Sequence, residues 1–191
     1  THEREYYAIR SAAALFDVSP LYKYRIRGPD AARLLDRVVT RDLSRCQVRQ
    51  VMYTPWCDEA GKVIDDGTVQ RLDGQDFRLT AAEPNLLWLY ENSLGLEVDI
   101  QDETDRIAAL SLQGPASRSI LNSVSDGDFN GLRYFRLTPA SVGEAPVTVS
   151  RTGYTGDLGY EIWVDAERAE SLWDTLMEGG QAYGITPAGM L

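Results

Sequence analysis

The hydrophobic pattern of this chain changes period repeatedly, and each change predicts an element. From Glu3 to Leu15 the apolar positions Tyr6, Tyr7, Ile9 and Ala12 to Ala14 have helical spacing, and Asp17-Val18-Ser19-Pro20 forbids continuation because proline lacks the amide a helix needs. Leu21 to Arg27 alternates large apolar with basic residues, which predicts a half-buried strand. Gly28-Pro29-Asp30 then turns the chain into a helix over Ala31 to Val39, with Leu34, Leu35 and Val38 on one face. From Gln50 the period falls to two. Val51 to Trp56 and Lys62 to Arg71 read as a hairpin closed by Asp58-Glu59-Ala60-Gly61, and a turn at Asp73 to Asp76 leads into a third antiparallel strand, Phe77 to Thr80.

Further on, Pro84 to Ser93 reads as a helix starting at its proline, followed after Gly95 by strands over Leu96 to Gln101 and Ile107 to Leu112. Ala116 to Val124 is helical in pattern, and the polar, turn-rich Ser125 to Gly131 is a surface loop. Strands follow at Tyr134 to Leu137, Val147 to Arg151 and Tyr160 to Val164. The last element, Glu167 to Gly179, is an amphipathic helix with Ala169, Leu172, Trp173 and Leu176 on its apolar face. Strands followed by a helix occur twice over, without strict strand-helix-strand alternation. This predicts an α+β fold, antiparallel sheets with flanking helices, and leaves room for two related subdomains, although no sequence repeat marks them.

Composition narrows the function. The 191 residues carry 19 Lys and Arg against 29 Asp and Glu, a net charge of -10 with no local basic patch, so neither nucleic acid nor a membrane surface is an expected partner. Cys46, Cys57 and His2 are the only cysteines and histidine, which argues against a zinc site and a disulfide framework and makes the reduced cytoplasm the expected setting. No apolar run approaches the roughly 18 residues of a membrane span. The chain begins inside a helical pattern and stops at Pro187-Ala188-Gly189-Met190-Leu191, so it is expected to be a fragment of a longer protein.

Two stretches carry candidate chemistry. In Lys62-Val63-Ile64-Asp65-Asp66-Gly67-Thr68-Val69 two adjacent carboxylates lie on one strand, and because neighbours point to opposite faces only one of them can face a given pocket. The residues alone leave open whether that acid is placed or decorative. Gly153-Tyr154-Thr155-Gly156-Asp157-Leu158-Gly159-Tyr160-Glu161 resembles a phosphate loop only superficially: no Lys-Ser/Thr follows, and it opens a strand, so a wide hairpin turn is expected. By alternation Glu161, Trp163 and Asp165 share one face of that strand. A carboxylate beside an indole can hold a flat heterocycle, since it accepts two parallel N–H bonds from a guanidine-like edge.

Four motifs in order, Glu5 to Ser19 ending in Leu-Phe-Asp-Val-Ser, Gly61-Lys62-Val63-Ile64-Asp65-Asp66, Leu112-Gln113-Gly114-Pro115, and Gly153-Tyr154-Thr155-Gly156 with Gly159-Tyr160-Glu161-Ile162, resemble the glycine-cleavage T-protein family of tetrahydrofolate-dependent aminomethyltransferases. The resemblance spans residues 1–191 as the folate-binding region, without the N-terminal start and the C-terminal barrel of the family. It implies tetrahydrofolate as cofactor, Asp65 as the catalytic acid near the nitrogens that receive the one-carbon unit, Glu161 as the holder of the pterin amino edge, and Tyr53 and Tyr154 as pocket-lining residues, with no metal. Where the family often has His after Asp-Val-Ser this chain has Pro20, and the Val-Asn-Ser/Ala segment is replaced by Thr80-Ala81-Ala82-Glu83. Both departures touch the donor side. The donor is therefore left as a small-molecule or carrier-bound one-carbon compound, a lipoyl carrier protein among the candidates. The alternatives are a tetrahydrofolate-dependent O- or S-demethylase, and a non-catalytic folate-binding module of the iron-sulfur assembly type or from a sarcosine or dimethylglycine dehydrogenase.

Overall fold

The computed structural model describes residues 2–189, so the end of the Pro187 to Leu191 stretch lies outside the described residues. In chain order it holds α1 (His2–Ser11), β1 (Ala13–Asp17), β2 (Tyr22–Arg27), α2 (Ala31–Val38), β3 (Gln50–Cys57), β4 (Val63–Asp73), β5 (Asp76–Ala81) and α3 (Leu86–Asn92). There follow β6 (Asp99–Asp102), β7 (Ile107–Gln113), α4 (Ser117–Val124), β8 (Leu137–Val142), β9 (Ala145–Ser150), β10 (Gly159–Asp165), α5 (Ala169–Gly180) and β11 (Ile185–Pro187). This is the expected α+β architecture, with two sheets in which antiparallel pairing dominates.

The chain forms two compact units, and they are not its two halves. One is continuous from Pro20 to Asp105; the other is assembled from the residues before Pro20 and those after Asp105. β1 is the reason. The sequence predicts a helix as far as Leu15, whereas α1 ends at Ser11 and the next residues form a strand that pairs antiparallel with β7, Leu15 opposite Leu112, and parallel with β11. Ala13, Ala14 and Leu15 are fully buried. A strand covered on both faces has no apolar-polar alternation, so its run of apolar residues continues the helical pattern without a break.

The discontinuous unit has a six-stranded sheet in the order β11-β1-β7-β10-β9-β8. Leu112, Tyr160, Ile162 and Val149 of the sheet pack against Ile120 and Leu121 of α4 and Leu172 and Leu176 of α5. β8 starts at Leu137, where the sequence predicts a strand ending. The residues before it turn instead, with Phe135 at a φ of 56°, a conformation no strand accommodates. The continuous unit has a five-stranded antiparallel sheet in the order β3-β4-β5-β2-β6. One face carries Tyr24, Ile26, Trp56, Val69, Phe77 and Leu79 against Leu34 and Leu35 of α2 and Leu89 of α3. α3 begins two residues later than its proline predicts, after Asn85 at the N-cap.

Gly67 lies beyond the last paired residues of β4 and β5, Val69 and Leu79, close against the Thr80 backbone. A Cβ there would lie 1.9 Å from the Thr80 carbonyl oxygen, whereas at Gly74 it would meet nothing within 4 Å. Gly67→Ala should therefore lower the unfolding free energy by about 1–3 kcal/mol in urea titration, while Gly74→Ala stays within roughly 0.5 kcal/mol of wild type. Equal midpoints for the two variants would contradict the close approach.

Candidate functional site

In the continuous unit the β3–β4 hairpin separates the two adjacent acids. Asp65 pairs with Trp56, Asp66 with Pro55, and Tyr53 with Thr68. Directly opposed residues share a face, so Asp65 lies on the core face with Trp56, and Asp66 lies with Tyr53 on the other. Asp65 is 7% exposed and Asp66 is exposed. The Asp65 carboxylate takes three N–H donors: Asp66 N on Oδ1 at 2.7 Å, and Glu83 N at 2.9 Å and Asn85 Nδ2 at 2.8 Å on Oδ2. Of roughly four acceptor positions on a carboxylate, these use three. Tyr53 is 49% exposed. The neighbouring Asp66 carboxylate holds its phenol above the usual range, with some burial acting in the same direction. The pair that meets on the accessible face is thus Tyr53 and Asp66, and Tyr53 is not brought to Asp65.

In the discontinuous unit Glu161 lies on the face of β10 opposite the core, with Gly159 and Trp163, as alternation predicts. A chain of donors leads to it. Trp163 Nε1 donates to Ser150 Oγ at 3.2 Å, the Ser150 and Thr152 hydroxyls are 2.8 Å apart, and Thr152 Oγ1 donates to Glu161 Oε2 at 2.5 Å. Because Thr152 gives its one hydroxyl proton to Glu161, it can only accept from Ser150, and the protons run toward the carboxylate. Burial pushes the Glu161 carboxyl above the usual carboxylate range, and the Thr152 hydroxyl partly offsets it. Tyr154 is 61% exposed, its ring tilted against Phe16 with centroids 6.3 Å apart. Burial, and after it the charge of Glu161, raise its phenol, so Tyr154 and Glu161 share one electrostatic neighbourhood.

Two of the glycines between β9 and the start of β10, Gly153 and Gly159, make room for a side chain of the protein itself. A Cβ at Gly153 or Gly159 would lie 2.3 or 2.0 Å from the Gln113 amide. Gln113, fully buried at the end of β7, donates through Nε2 to Ser111 Oγ at 2.9 Å and Thr152 O at 3.2 Å and accepts from Thr155 Oγ1 at 2.9 Å. Arg10 of α1 pairs with Asp157 and donates to Thr155 O at 2.9 Å. The two motifs Leu112-Gln113-Gly114-Pro115 and Gly153 to Glu161 are one interlocked structure. A cavity of about 280 Å³ lies beside the loop, lined among others by Tyr134, Arg151, Thr152 and Asp157. Of these, Thr152 and Arg151 stand immediately before the glycine motif, and that adjacency is the signal that marks them in the sequence. Nothing in the sequence marks Tyr134, which precedes the turn at Phe135.

Among the described residues no group of three or more His, Cys, Asp or Glu is placed to hold a metal ion, and no helix is long and apolar enough to cross a membrane. The family model for the GCVT N-terminal domain matches residues 1–191. The chain belongs to this family. It is 38% identical over 191 residues to an aminomethyltransferase of Halothermothrix orenii, covering 97% of this chain and 53% of that protein. It is 40% identical over 197 residues to a trimethylamine-oxide aldolase of Ruegeria pomeroyi, with 97% of this chain and 25% of that protein covered. The crystal structure of glycine cleavage system aminomethyltransferase T from Bartonella henselae superposes with a TM-score of 0.84 at 25% identity, over 97% of this chain and 50% of that one. The chain spans about half the length of the aminomethyltransferases it matches.

Within this GCVT domain the half-buried Glu161 makes a test independent of ligand. Its folded-state carboxyl titrates above the unfolded one, so the folded protein binds more protons between the two values, and stability falls as pH rises through that window. Glu161→Gln keeps an acceptor for Thr152 and removes the charge. The variant should melt above wild type at pH 8, and the difference should vanish in acid once Glu161 is protonated in both states. A constant difference across the pH range would contradict the burial effect.

Proposed function

We propose that the protein containing this chain moves a one-carbon unit between a donor and tetrahydrofolate, as an aminomethyltransferase of the glycine-cleavage type. The observation that carries the reading is the Glu161 carboxylate, which one hydroxyl donor holds in place while the rest of its acceptor capacity is left for a ligand. Such a group suits the amino and ring N–H edge of a pterin, and the half-exposed Tyr154 beside it suits the flat face. Tetrahydrofolate would supply the nucleophilic nitrogen that takes the one-carbon unit. Glu161 binds and orients, and an ionised aspartate of β4 would align the reacting amine and stabilise the positive charge that develops on it.

The family resemblance implied Asp65 for that role. Exposure and facing favour Asp66 as the carboxylate that meets the ligand, with Tyr53 beside it on the same face and Asp65 behind it. The two assignments are separable in the full-length protein. Asp66→Asn should slow turnover about a hundredfold or more with little change in melting temperature. Asp65→Asn turns an amide N–H₂ toward at least one of three N–H donors and should lower the melting temperature as well as the rate. Wild-type turnover in Asp66→Asn with a rate loss confined to Asp65→Asn would return the role to Asp65.

For binding, Glu161→Ala should weaken tetrahydrofolate by roughly 2 kcal/mol, the loss of a charge-assisted pair, read by calorimetry. Equal affinity would refute the pterin assignment. A second reading keeps folate and changes the donor to a small methylated compound. The relative named as a trimethylamine-oxide aldolase, as similar as the aminomethyltransferases, favours it. A lipoyl carrier protein as partner belongs to the first reading alone.

A further inference from the structure

We propose that Asn85 is a positioning residue: it fixes the orientation of the Asp65 carboxylate, and through it the backbone of Asp66. This rests on the reading that Asp66 meets the ligand. Asn85 is 3% exposed, and every polar atom of its side chain has a partner that chemistry dictates. Its Oδ1 accepts Trp56 Nε1 at 3.0 Å. Since an indole nitrogen only donates, the amide has one possible orientation, and Nδ2 must point away from the indole. There it donates to Asp65 Oδ2 at 2.8 Å and to Glu83 O at 2.9 Å. The backbone nitrogen of Asn85 donates to the Tyr24 hydroxyl at 2.8 Å. Trp56 and Tyr24 are among the largest fully buried side chains of the chain, so the amide is anchored in the core.

The other end of the relay is Asp66. With Glu83 N and Asn85 Nδ2 both on Oδ2, the plane of the Asp65 carboxylate is set, and Oδ1 is left facing the Asp66 amide at 2.7 Å. Asp66 thereby has its peptide fixed from the core side while its carboxylate stands on the accessible face beside Tyr53. Asn85 occupies the N-cap of α3, yet its side chain makes no capping bond there. The side chain best suited to cap a helix is turned to the aspartate instead.

The titratable groups around this amide are Asp65 and Asp66 of β4, Glu83 just before it, whose side chain is exposed, and Tyr24 of β2, whose phenol burial pushes up and keeps neutral. Asn85→Asp therefore sets one new carboxyl against Asp65. Protonated, it can donate to Asp65 as the amide does; ionised, it repels it. In the full-length variant, kcat for one-carbon transfer should lie within about threefold of wild type near pH 6 and at least about tenfold below it near pH 8, with the KM for tetrahydrofolate changing less than roughly twofold. In the unliganded variant the Trp56 indole and Asp66 amide NMR resonances should titrate together over the same range, and in wild type they should not. Asn85→Ala, which introduces no charge, should lower kcat about tenfold and shift the Asp66 amide without a matching pH limb. Circular dichroism at each pH confirms that the folded protein is being compared. Wild-type kcat in Asn85→Ala, or an Asp66 amide that stays fixed while the Trp56 indole of Asn85→Asp titrates, would overturn the proposal. Absence of any transfer to tetrahydrofolate by wild type, or full activity of Asp66→Asn, would instead overturn the functional reading, and the resonances would still report on the relay.

Discussion

A polar group withdrawn from water must be given partners by the protein, and both units of this chain are arranged around one that has been. In the continuous unit it is the Asp65 carboxylate, and in the discontinuous unit the Gln113 amide. Each is held by hydrogen bonds whose donors and acceptors admit one arrangement. Each in turn fixes a segment with no regular structure of its own: the 82–85 connection before α3 in one case, the glycine loop between β9 and β10 in the other. Removing either hub leaves several buried groups unpartnered at once, which is far more costly than losing one contact at the surface.

The same device separates the scaffold from the groups proposed to meet a ligand. Asp65 and Asp66 are neighbours in sequence, yet strand alternation sends one inward to three amides and the other outward to Tyr53. Gln113 and Thr152 likewise hold the loop, while Glu161 and Tyr154 present acceptor and ring to the outside. The accessible groups are few and are carried on β-strands or on a loop locked to one, which suits orientation of a ligand better than mobile side chains would. The loop glycines illustrate the point. Gly153 and Gly159 are required by the approach of Gln113 and Gly156 by its φ of 79°, so a motif that suggests anion binding is accounted for by internal packing and backbone conformation.

Much of this was legible in the sequence. The β3–β4–β5 meander, α2, α5 and the facing of Glu161 follow directly from period and turn residues, because each of those elements has one face in the core and one in water. Asp65 and Asp66 could be placed on opposite faces in the same way. What alternation could not supply was which face holds the core, and hence which acid is buried; that depends on Trp56 and Asn85, 9 and 20 residues away. β1 was hidden for the opposite reason, since Ala13 to Phe16 are buried on both faces and carry no period. With it went the insertion topology, in which the unit from Pro20 to Asp105 interrupts a sheet closed by the pairing of β1 with β7. Asn85 was unremarkable as a residue after a proline, and only its partners distinguish it.

Family membership and the outward-facing acids support the proposal of folate-linked one-carbon transfer, and the fate of a labelled carbon decides it. The full-length protein, incubated with a panel of ¹³C-labelled methyl and aminomethyl donors with and without tetrahydrofolate, is read by ¹³C NMR. Label is expected on a folate nitrogen for at least one donor, with donor turnover only when folate is present. Donor turnover that proceeds equally without folate and never labels it would contradict transfer to folate.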